Sequence, residues 1–192
     1  MRTNLLSRRN FLAFSCLFPL AQAVHSGVEL KGSVFADVGR NKNIDPYLLY
    51  AIALAESAFR IEGSTNVIPW RFTLRTKSTA YYGTSYKKTL TELNRILRFT
   101  KSVDVGLMQI NVLWHGHRVR HPEDLLDVHI NVSVAADILN ERLKTNRNNW
   151  QQSLAQYHTF NVERGYWYAT YVLGIYAQIA NDVKGKVLVF HW

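Results

Sequence analysis

The chain has 192 residues, of which 47% are hydrophobic and 19% are charged. This length is typical of one domain, and the composition excludes an intrinsically disordered protein. The net charge is +9, and there is one cysteine. An intramolecular disulfide and a zinc site built mainly on cysteines are therefore excluded.

The first 23 residues have the pattern of an export signal. Arginines give the segment a basic start, residues 11–20 are mostly apolar, and Ala21-Gln22-Ala23 has the small-x-small pattern of a signal-peptidase site. The apolar run is about half of the ~20 residues that a membrane-spanning helix needs. We therefore expect a signal peptide over residues 1–23 that is cleaved near Ala23, with no membrane span afterwards.

The same segment also predicts how the chain is exported and where it goes. Residues 7–12, Ser-Arg-Arg-Asn-Phe-Leu, also resemble a twin-arginine export signal, with an ordinary secretion signal as the alternative. Either signal places the mature domain, residues 24–192, in the periplasm. Cleavage removes Cys16 and three arginines, so the mature chain has a net charge of +6. That charge suits an anionic polymer such as the cell wall, and it is too dilute to favour nucleic acid as a partner.

The hydrophobic periodicity predicts an α+β fold that is mainly α, with one β-hairpin. In chain order it predicts a helix over 33–43, a helix from Asp45-Pro46 to Phe59, a hairpin over 66–83, a helix from Thr84 or Ser85 to about Phe99, a loop over 102–121, a helix capped by Asn131, helices near 149–158 and 164–181, and a short tail over 187–192 that is extended.

Glu56 is the first candidate catalytic residue. It is the only charged residue between Pro46 and Phe59, and helical spacing places it among Leu49, Ile52 and Ala53 on an apolar face. Burial and the negative end of the helix dipole both favour the neutral acid, which can donate a proton. The alternative is a side chain that bends out to water or pairs with Arg60.

The second candidate is the run Asp104-Val-Gly-Leu-Met-Gln-Ile-Asn111. Gly106 permits a close approach of the backbone to another chain or a ligand. In an extended segment Gln109 and Asn111 would project to one side, where their amides could bind sugar hydroxyl and acetamido groups. The alternative is a turn with a buried amide.

Together these segments resemble the lytic transglycosylase family with the lysozyme-like fold. The resemblance rests on Ala55-Glu56-Ser57 at the end of an apolar helix, followed by Gly106-Leu-Met-Gln-Ile-Asn111. Two weaker matches are the N-x-x-x-A-A-x-x-L pattern that starts at Asn131 and the segment Leu154-Ala-Gln-Tyr157. The resemblance covers roughly residues 33–180.

The resemblance implies an enzyme that cleaves the MurNAc–GlcNAc bond of peptidoglycan glycan strands and forms a 1,6-anhydromuramoyl product. Glu56 would be the catalytic acid and base, and no metal or cofactor would be needed. The residues implied to bind the sugars are Ser57, Gly106, Met108, Gln109, Asn111 and Tyr157.

The chain departs from the family pattern in two places. His158 stands where the family has an asparagine, and a nearby glycine is missing. The stretch between Glu56 and Gly106 is longer than in common soluble members and is similar to transglycosylases of conjugative elements and type IV secretion or pilus systems. Components of such a machine are therefore expected partners, and a catalytically weak subunit that binds the wall is an alternative function.

Two other groups of residues leave alternatives open. Asp104 could serve as a second carboxylate, which would make the enzyme a lysozyme-type hydrolase, although capping the turn before Gly106 is the simpler role. The string His115, His117, His121 could bind a metal, but no acidic or cysteine ligand accompanies it in a firm pattern.

Overall fold

A computed structural model describes residues 28–61, 63 and 67–187, with side chains up to residue 181. The predicted signal peptide lies outside the described residues, as does the tail over 188–192. Val187 is described, and it is helical and not extended.

The helices account for most of the described residues, so the mainly α fold is confirmed. Their bounds are α1 Val34–Lys42, α2 Pro46–Ser57, α3 Tyr86–Leu97, α4 Val112–His115, α5 Val128–Thr145, α6 Trp150–His158 and α7 Val162–Val187, with short 3-10 helices at Gly116–Arg118 and Pro122–Leu126. Polar side chains accept hydrogen bonds from the first free backbone amides of several of these helices. These caps are Ser33, Asp45, Ser85, Asp127 and Asn149.

The cap of α5 differs from the prediction. Asp127 caps the helix, and Asn131 lies one turn inside it with 1% of its surface exposed. A buried asparagine needs partners for its amide, and Asn131 finds them in the backbone of Val105, Met108 and Leu125. The sequence shows an asparagine at the start of an apolar run, which is the pattern of a cap, but Asp127 has the same capacity and comes first.

The predicted hairpin is present, with a shorter first strand. Strand β3 (Thr73–Arg75) pairs antiparallel with β4 (Ala80–Tyr82). The residues before it form a separate strand, β2 (Val67–Pro69), which pairs antiparallel with β1 (Ala58–Arg60). Pro69 has no N–H to continue a ladder, and a turn follows, in which the Thr73 hydroxyl donates to the Trp70 carbonyl at 2.8 Å.

Two short strands extend the sheet inside the predicted loop. Strand β5 (Asp104–Val105) pairs with β3 on one side and with β6 (Ile110–Asn111) on the other, all antiparallel. The sheet order is β4-β3-β5-β6. The turn between β5 and β6 holds Gly106 to Gln109, so the sheet places this segment beside the end of α2.

Helix α2 lies at the centre of the core, as its apolar composition predicts. It packs against α1, α7 and β2, while α6 packs between α5 and α7. Leu49, Ile52 and Ala53 are completely buried. No helix in the described part of the chain is long and apolar enough to cross a membrane.

Candidate active site

Glu56 lies in the last turn of α2 and is buried, with 7% of its surface exposed. The chain leaves the helix immediately afterwards, because Ala58 has the extended backbone of β1. The apolar residues predicted to surround Glu56 on its helix face are buried with it. Its Oε1 lies 3.7 Å from His158 Nδ1, so the carboxyl group faces the end of α6.

Aromatic side chains from α6 and α7 enclose this carboxyl group. The His158 ring stacks on Tyr168, with centroids 4.3 Å apart and planes at 4°. The Tyr168 hydroxyl is buried without a hydrogen-bond partner among the described residues. Burial and the charge of Glu56 raise the pKa of Tyr168 well above its ordinary value.

Tyr157, the residue before His158 on α6, also lies in the electrostatic field of Glu56. Its hydroxyl donates to the Met108 carbonyl at 2.9 Å. Burial raises the pKa of Tyr157 well above its ordinary value, and the charges of Glu56 and Asp104 raise it further. Both tyrosines therefore stay neutral hydrogen-bond donors at any physiological pH, and neither competes with Glu56 as a base.

A second carboxyl group, Asp104 on β5, lies in the electrostatic field of Glu56. Burial raises its pKa, and the charge of Glu56 adds to this, whereas the hydrogen bond from Asn111 opposes it. That bond runs from Asn111 Nδ2 to Asp104 Oδ1 at 2.8 Å. The Asn111 oxygen accepts from the Leu113 amide, so Asn111 also caps α4.

The turn between β5 and β6 has a backbone that the sequence did not fully predict. Gly106 has φ +80°, and Gln109 has φ +47°, so Gln109 is not extended. The segment is therefore a turn at Gln109, as in the alternative reading, and not the extended segment that the prediction of a common side for Gln109 and Asn111 assumed. Gln109 Nε2 donates to the Gly106 carbonyl at 2.8 Å and approaches the Thr73 carbonyl at 3.3 Å.

Buried hydrogen bonds attach this turn to α2 and α5. Ser57 Oγ lies 2.8 Å from the Leu107 carbonyl and 3.0 Å from the Ala53 carbonyl. The Met108 amide donates to Asn131 Oδ1 at 2.8 Å, and the Met108 side chain is completely buried. These residues fix the turn beneath the site, and the sugar contacts expected of them stay predictions.

The match to a family model agrees with this geometry. The model of the Transglycosylase SLT domain matches residues 33–170, a range that includes Glu56, the turn at Gly106 and the aromatic residues around Glu56. The chain belongs to the Transglycosylase SLT domain family. This family comprises lytic transglycosylases, and membership supports the cleavage of glycosidic bonds in peptidoglycan. A search of curated proteins found no match to the chain.

Two residues of the SLT domain lie at the site but are not among the candidates that the sequence patterns indicate. Tyr168 belongs to a run of aromatic residues on a helix, a pattern more typical of a core, yet its hydroxyl lies near Glu56. Arg75 on β3 approaches the Glu56 carbonyl with Nη2 at 3.5 Å. The register of β3 with β5 places Arg75 opposite Asp104, and no local sequence pattern could have predicted that pairing.

The histidine string runs from α4 through the following 3-10 helix to His121. The His115 ring accepts a hydrogen bond from Arg118 Nε at 3.3 Å. Burial and the neighbouring charge of Arg118 lower the pKa of His115 to about 4. In the described part of the SLT domain no cluster of three or more His, Cys, Asp or Glu side chains is arranged to hold a metal ion.

Proposed function

We propose that the protein is an exported peptidoglycan lytic transglycosylase in which Glu56 acts as both acid and base. One observation carries the proposal: within an SLT domain, a buried carboxyl group ends the central helix and is enclosed by Tyr157, His158 and Tyr168. A carboxyl group held away from water beside neutral donors is suited to proton transfer.

In the first step Glu56 donates its proton to the glycosidic oxygen, and the bond from that oxygen to C1 of the muramoyl sugar breaks. Positive charge develops at C1, where the sugar's own acetamido oxygen stabilises it. The aromatic residues around Glu56 keep water away. The carboxylate left behind has its Oε1 3.7 Å from His158 Nδ1.

In the second step the Glu56 carboxylate takes the proton of the 6-hydroxyl group of the same sugar as that oxygen attacks C1. The product is a 1,6-anhydro ring, and Glu56 is protonated again. No water is consumed, so one carboxyl group serves for both proton transfers. Gln109, Asn111 and Tyr157 are the proposed sugar-binding residues, with Ser57, Gly106 and Met108 holding the turn that presents them.

The test is mass spectrometry of the fragments released from purified peptidoglycan by residues 24–192. We expect anhydromuropeptides from the wild type and a loss of about 10²–10⁴-fold in the rate for Glu56→Gln. The matched control is Glu29→Gln, which makes the same change at an exposed residue and should leave the rate unchanged. Equal activity of the Glu56→Gln variant would remove Glu56 from the mechanism.

Asp104 supports a second candidate function, a lysozyme-type hydrolase. It is a partly buried carboxyl group in the field of Glu56, the kind of pair that most glycosidases use. Its hydrogen bond to Asn111 and its position before the turn favour a structural role. The same mass spectra distinguish the two functions, because hydrolysis gives reducing-end fragments that are heavier by one water than the anhydro products. If the enzyme is a hydrolase, Asp104→Asn should abolish these reducing-end fragments.

The presence of His158 suggests a third candidate function, that of a weakly active subunit that binds the wall. The departure from the family asparagine places a ring 45% exposed against the catalytic carboxyl group. Restoring the family residue with His158→Asn tests this. A large gain of activity over the wild type would favour the wall-binding function, whereas equal or lower activity favours an enzyme adapted to histidine.

We further propose that the enzyme acts in the periplasm and opens the wall for a conjugation or type IV secretion apparatus. The similarity of residues 57–106 to transglycosylases of such systems supports this, as does the pattern of residues 1–23. In donor cells that lack the gene, the wild type should restore transfer frequency and Glu56→Gln should not. The periplasmic chain should begin at Val24 when its N-terminus is sequenced.

A further inference from the structure

The positive charge of the chain is concentrated in one segment. Residues 71–101 contain eight basic residues and one acidic residue, a net charge of +7. The rest of the chain after residue 23 has a net charge of −1. Uniform basicity would only aid solubility, whereas a charge confined to one sixth of the length indicates a surface that binds an anion.

Helix α3 displays much of this charge on a single face. At about 100° per residue, its cations lie within an arc of about 100°, opposite the buried Thr89, Leu93 and Ile96. Lys101 follows just after the helix. We call this surface the α3 cation face, and it consists of the exposed residues Lys87, Lys88, Arg95, Arg98 and Lys101.

Most of these charges are free to bind a ligand. Arg95 is held by Glu92, with nitrogen–oxygen distances of 2.8 and 2.6 Å. None of the other four cations has a carboxylate within 4 Å among the described residues. A cation without a partner keeps its full attraction for an external anion, because no internal pair has to be broken first.

The rest of the face favours a hydrated polymer over a lipid bilayer. Thr91 and Asn94 are the other exposed residues within it, so the surface is polar throughout. The large exposed apolar residue Phe99 lies at its edge. A helix that binds a membrane interface buries an apolar face, and α3 has already buried its apolar face in the protein.

Helix α3 also lies near the site. It packs against β3, the strand that carries Arg75 to the Glu56 carbonyl. Helix α3 therefore belongs to the same part of the fold as the site, with the α3 cation face on its outer side. Peptidoglycan bears stem peptides with free carboxylates, and these anions are repeated along each hydrated glycan strand.

We propose that the α3 cation face binds stem-peptide carboxylates of peptidoglycan, outside the site that cleaves the glycan. This second contact holds the enzyme on the wall between cleavage events. The inference rests on the proposed substrate but not on Glu56 as the catalyst. Its test is therefore a binding measurement, made with the Glu56→Gln chain so that the wall stays intact.

The experiment is co-sedimentation of this chain with purified sacculi over a series of salt concentrations. A variant with Lys87, Lys88, Arg98 and Lys101 all changed to Gln should bind on the order of tenfold more weakly at low salt, with the difference shrinking as salt screens the charges. The matched control changes four exposed cations elsewhere to Gln and should bind within about twofold of the parent. The control residues are Lys31, Arg120, Lys144 and Arg147.

Two further arms identify the ligand. Sacculi whose carboxyl groups have been converted to amides should bind the parent as weakly as normal sacculi bind the α3 variant. Vesicles with 30% phosphatidylglycerol should not sediment the parent. The inference is overturned if the two fourfold variants bind alike, if amidated sacculi bind as well as normal ones, or if the vesicles bind through the same face.

The fragments released from the wall distinguish a failure of this inference from a failure of the catalytic proposal. With the otherwise wild-type chain, the α3 variant should release anhydromuropeptides from short soluble glycans at the parent rate and from intact sacculi more slowly. If the α3 variant loses sedimentation and the wild-type chain releases anhydromuropeptides, both proposals are supported. If the α3 variant loses sedimentation but the wild-type chain releases no anhydro product, the catalytic proposal is refuted and this inference stands.

Discussion

A single side chain, Asn131, joins three segments of the site. Its Oδ1 accepts from the Met108 amide at 2.8 Å. Its Nδ2 donates to the Val105 and Leu125 carbonyls, each at 2.9 Å. Each partner is a backbone group of a completely buried residue, where losing a hydrogen bond is costly. The Asn131 amide therefore fixes α5 relative to the turn next to Glu56.

Replacing Asn131 with Ala should destabilise the protein by about 2–4 kcal/mol, because several buried polar groups lose their partner. Urea unfolding of residues 24–192 measures this. Asn94→Ala on the exposed face of α3 is the control, with an expected change of about 0.5 kcal/mol or less. Similar unfolding free energies for the two variants would contradict the role assigned to Asn131.

His115 makes stability depend on pH. Its pKa of about 4 in the folded protein lies below the ordinary value of 6.5, so between these pH values the unfolded chain binds the extra proton. Stability contributed by neutral His115 is present above pH 6.5 and is lost as the pH falls toward 4. The half-buried ring limits the effect to about 1–2 kcal/mol.

The measurement compares urea unfolding at pH 7.5 and pH 4.5 for the wild type and His115→Gln. All other titrating groups are shared, so they cancel in the comparison. The wild type should lose about 1–2 kcal/mol more on acidification than the variant does. An equal loss in both chains would mean that His115 is protonated in the folded protein.

At the scale of elements, the turn between β5 and β6 depends on a residue without a side chain. Gly106 has φ +80°, and a Cβ there would lie 2.5 Å from Asn131 Nδ2 and 2.9 Å from the Leu125 carbonyl. Backbone conformation and lack of space both require glycine. The turn is also where α2, the sheet and α5 meet, so a shift in it would move the groups around Glu56.

Three glycine substitutions separate these two causes. Gly106→Ala should cost about 2–4 kcal/mol in urea unfolding and lower the rate of anhydromuropeptide release. Gly32 has φ +74°, and a Cβ there would meet no other atom, so Gly32→Ala should lower the unfolding free energy by about 1 kcal/mol through backbone strain alone. Gly174→Ala, in the exposed middle of α7 with open space, should be neutral or stabilising. A mild effect at Gly106 would show that the turn adapts.

At the scale of the whole molecule, contacts between distant parts of the chain hold the central helix in place. The Tyr176 hydroxyl on α7 donates to Asp45 Oδ2 at 2.7 Å, which links the last helix to the cap of α2. This bond raises the pKa of Tyr176 to about 12. Lys42, at the end of α1, pairs with Asp137 on α5 and so joins the helix before α2 to another part of the core.

Tyr176→Phe should lower the unfolding free energy by about 0.5–1.5 kcal/mol at neutral pH, since it removes one hydrogen bond to a charged acceptor. Because the folded pKa exceeds the ordinary value of 10, this contribution fades as the pH rises from about 10 toward 12. Tyr166→Phe, at an exposed tyrosine, is the control and should have no effect at either pH. A cost confined to high pH would contradict the assignment.

The local parts of the fold could be predicted from the sequence. Helices α1, α2, α3 and α6 follow from caps and apolar spacing, and the burial of Glu56 follows from its apolar neighbours on one helix. The errors lie where local patterns compete. Asp127 and Asn131 can both cap a helix, and only packing decided between them. The run 67–74 has strand-forming residues throughout, and Pro69 and the turn after it divide it between two sheets.

The sequence by itself determined the helices, the central position of α2 and the membership of the chain in a family, because these depend on patterns within a few turns of chain or on motifs in order. Only the tertiary structure decided the surroundings of Glu56. Arg75, Asp104, His158 and Tyr168 come from four separate elements, and their meeting depends on strand register and helix packing. Those arise from contacts between residues far apart in the chain, which no local pattern records.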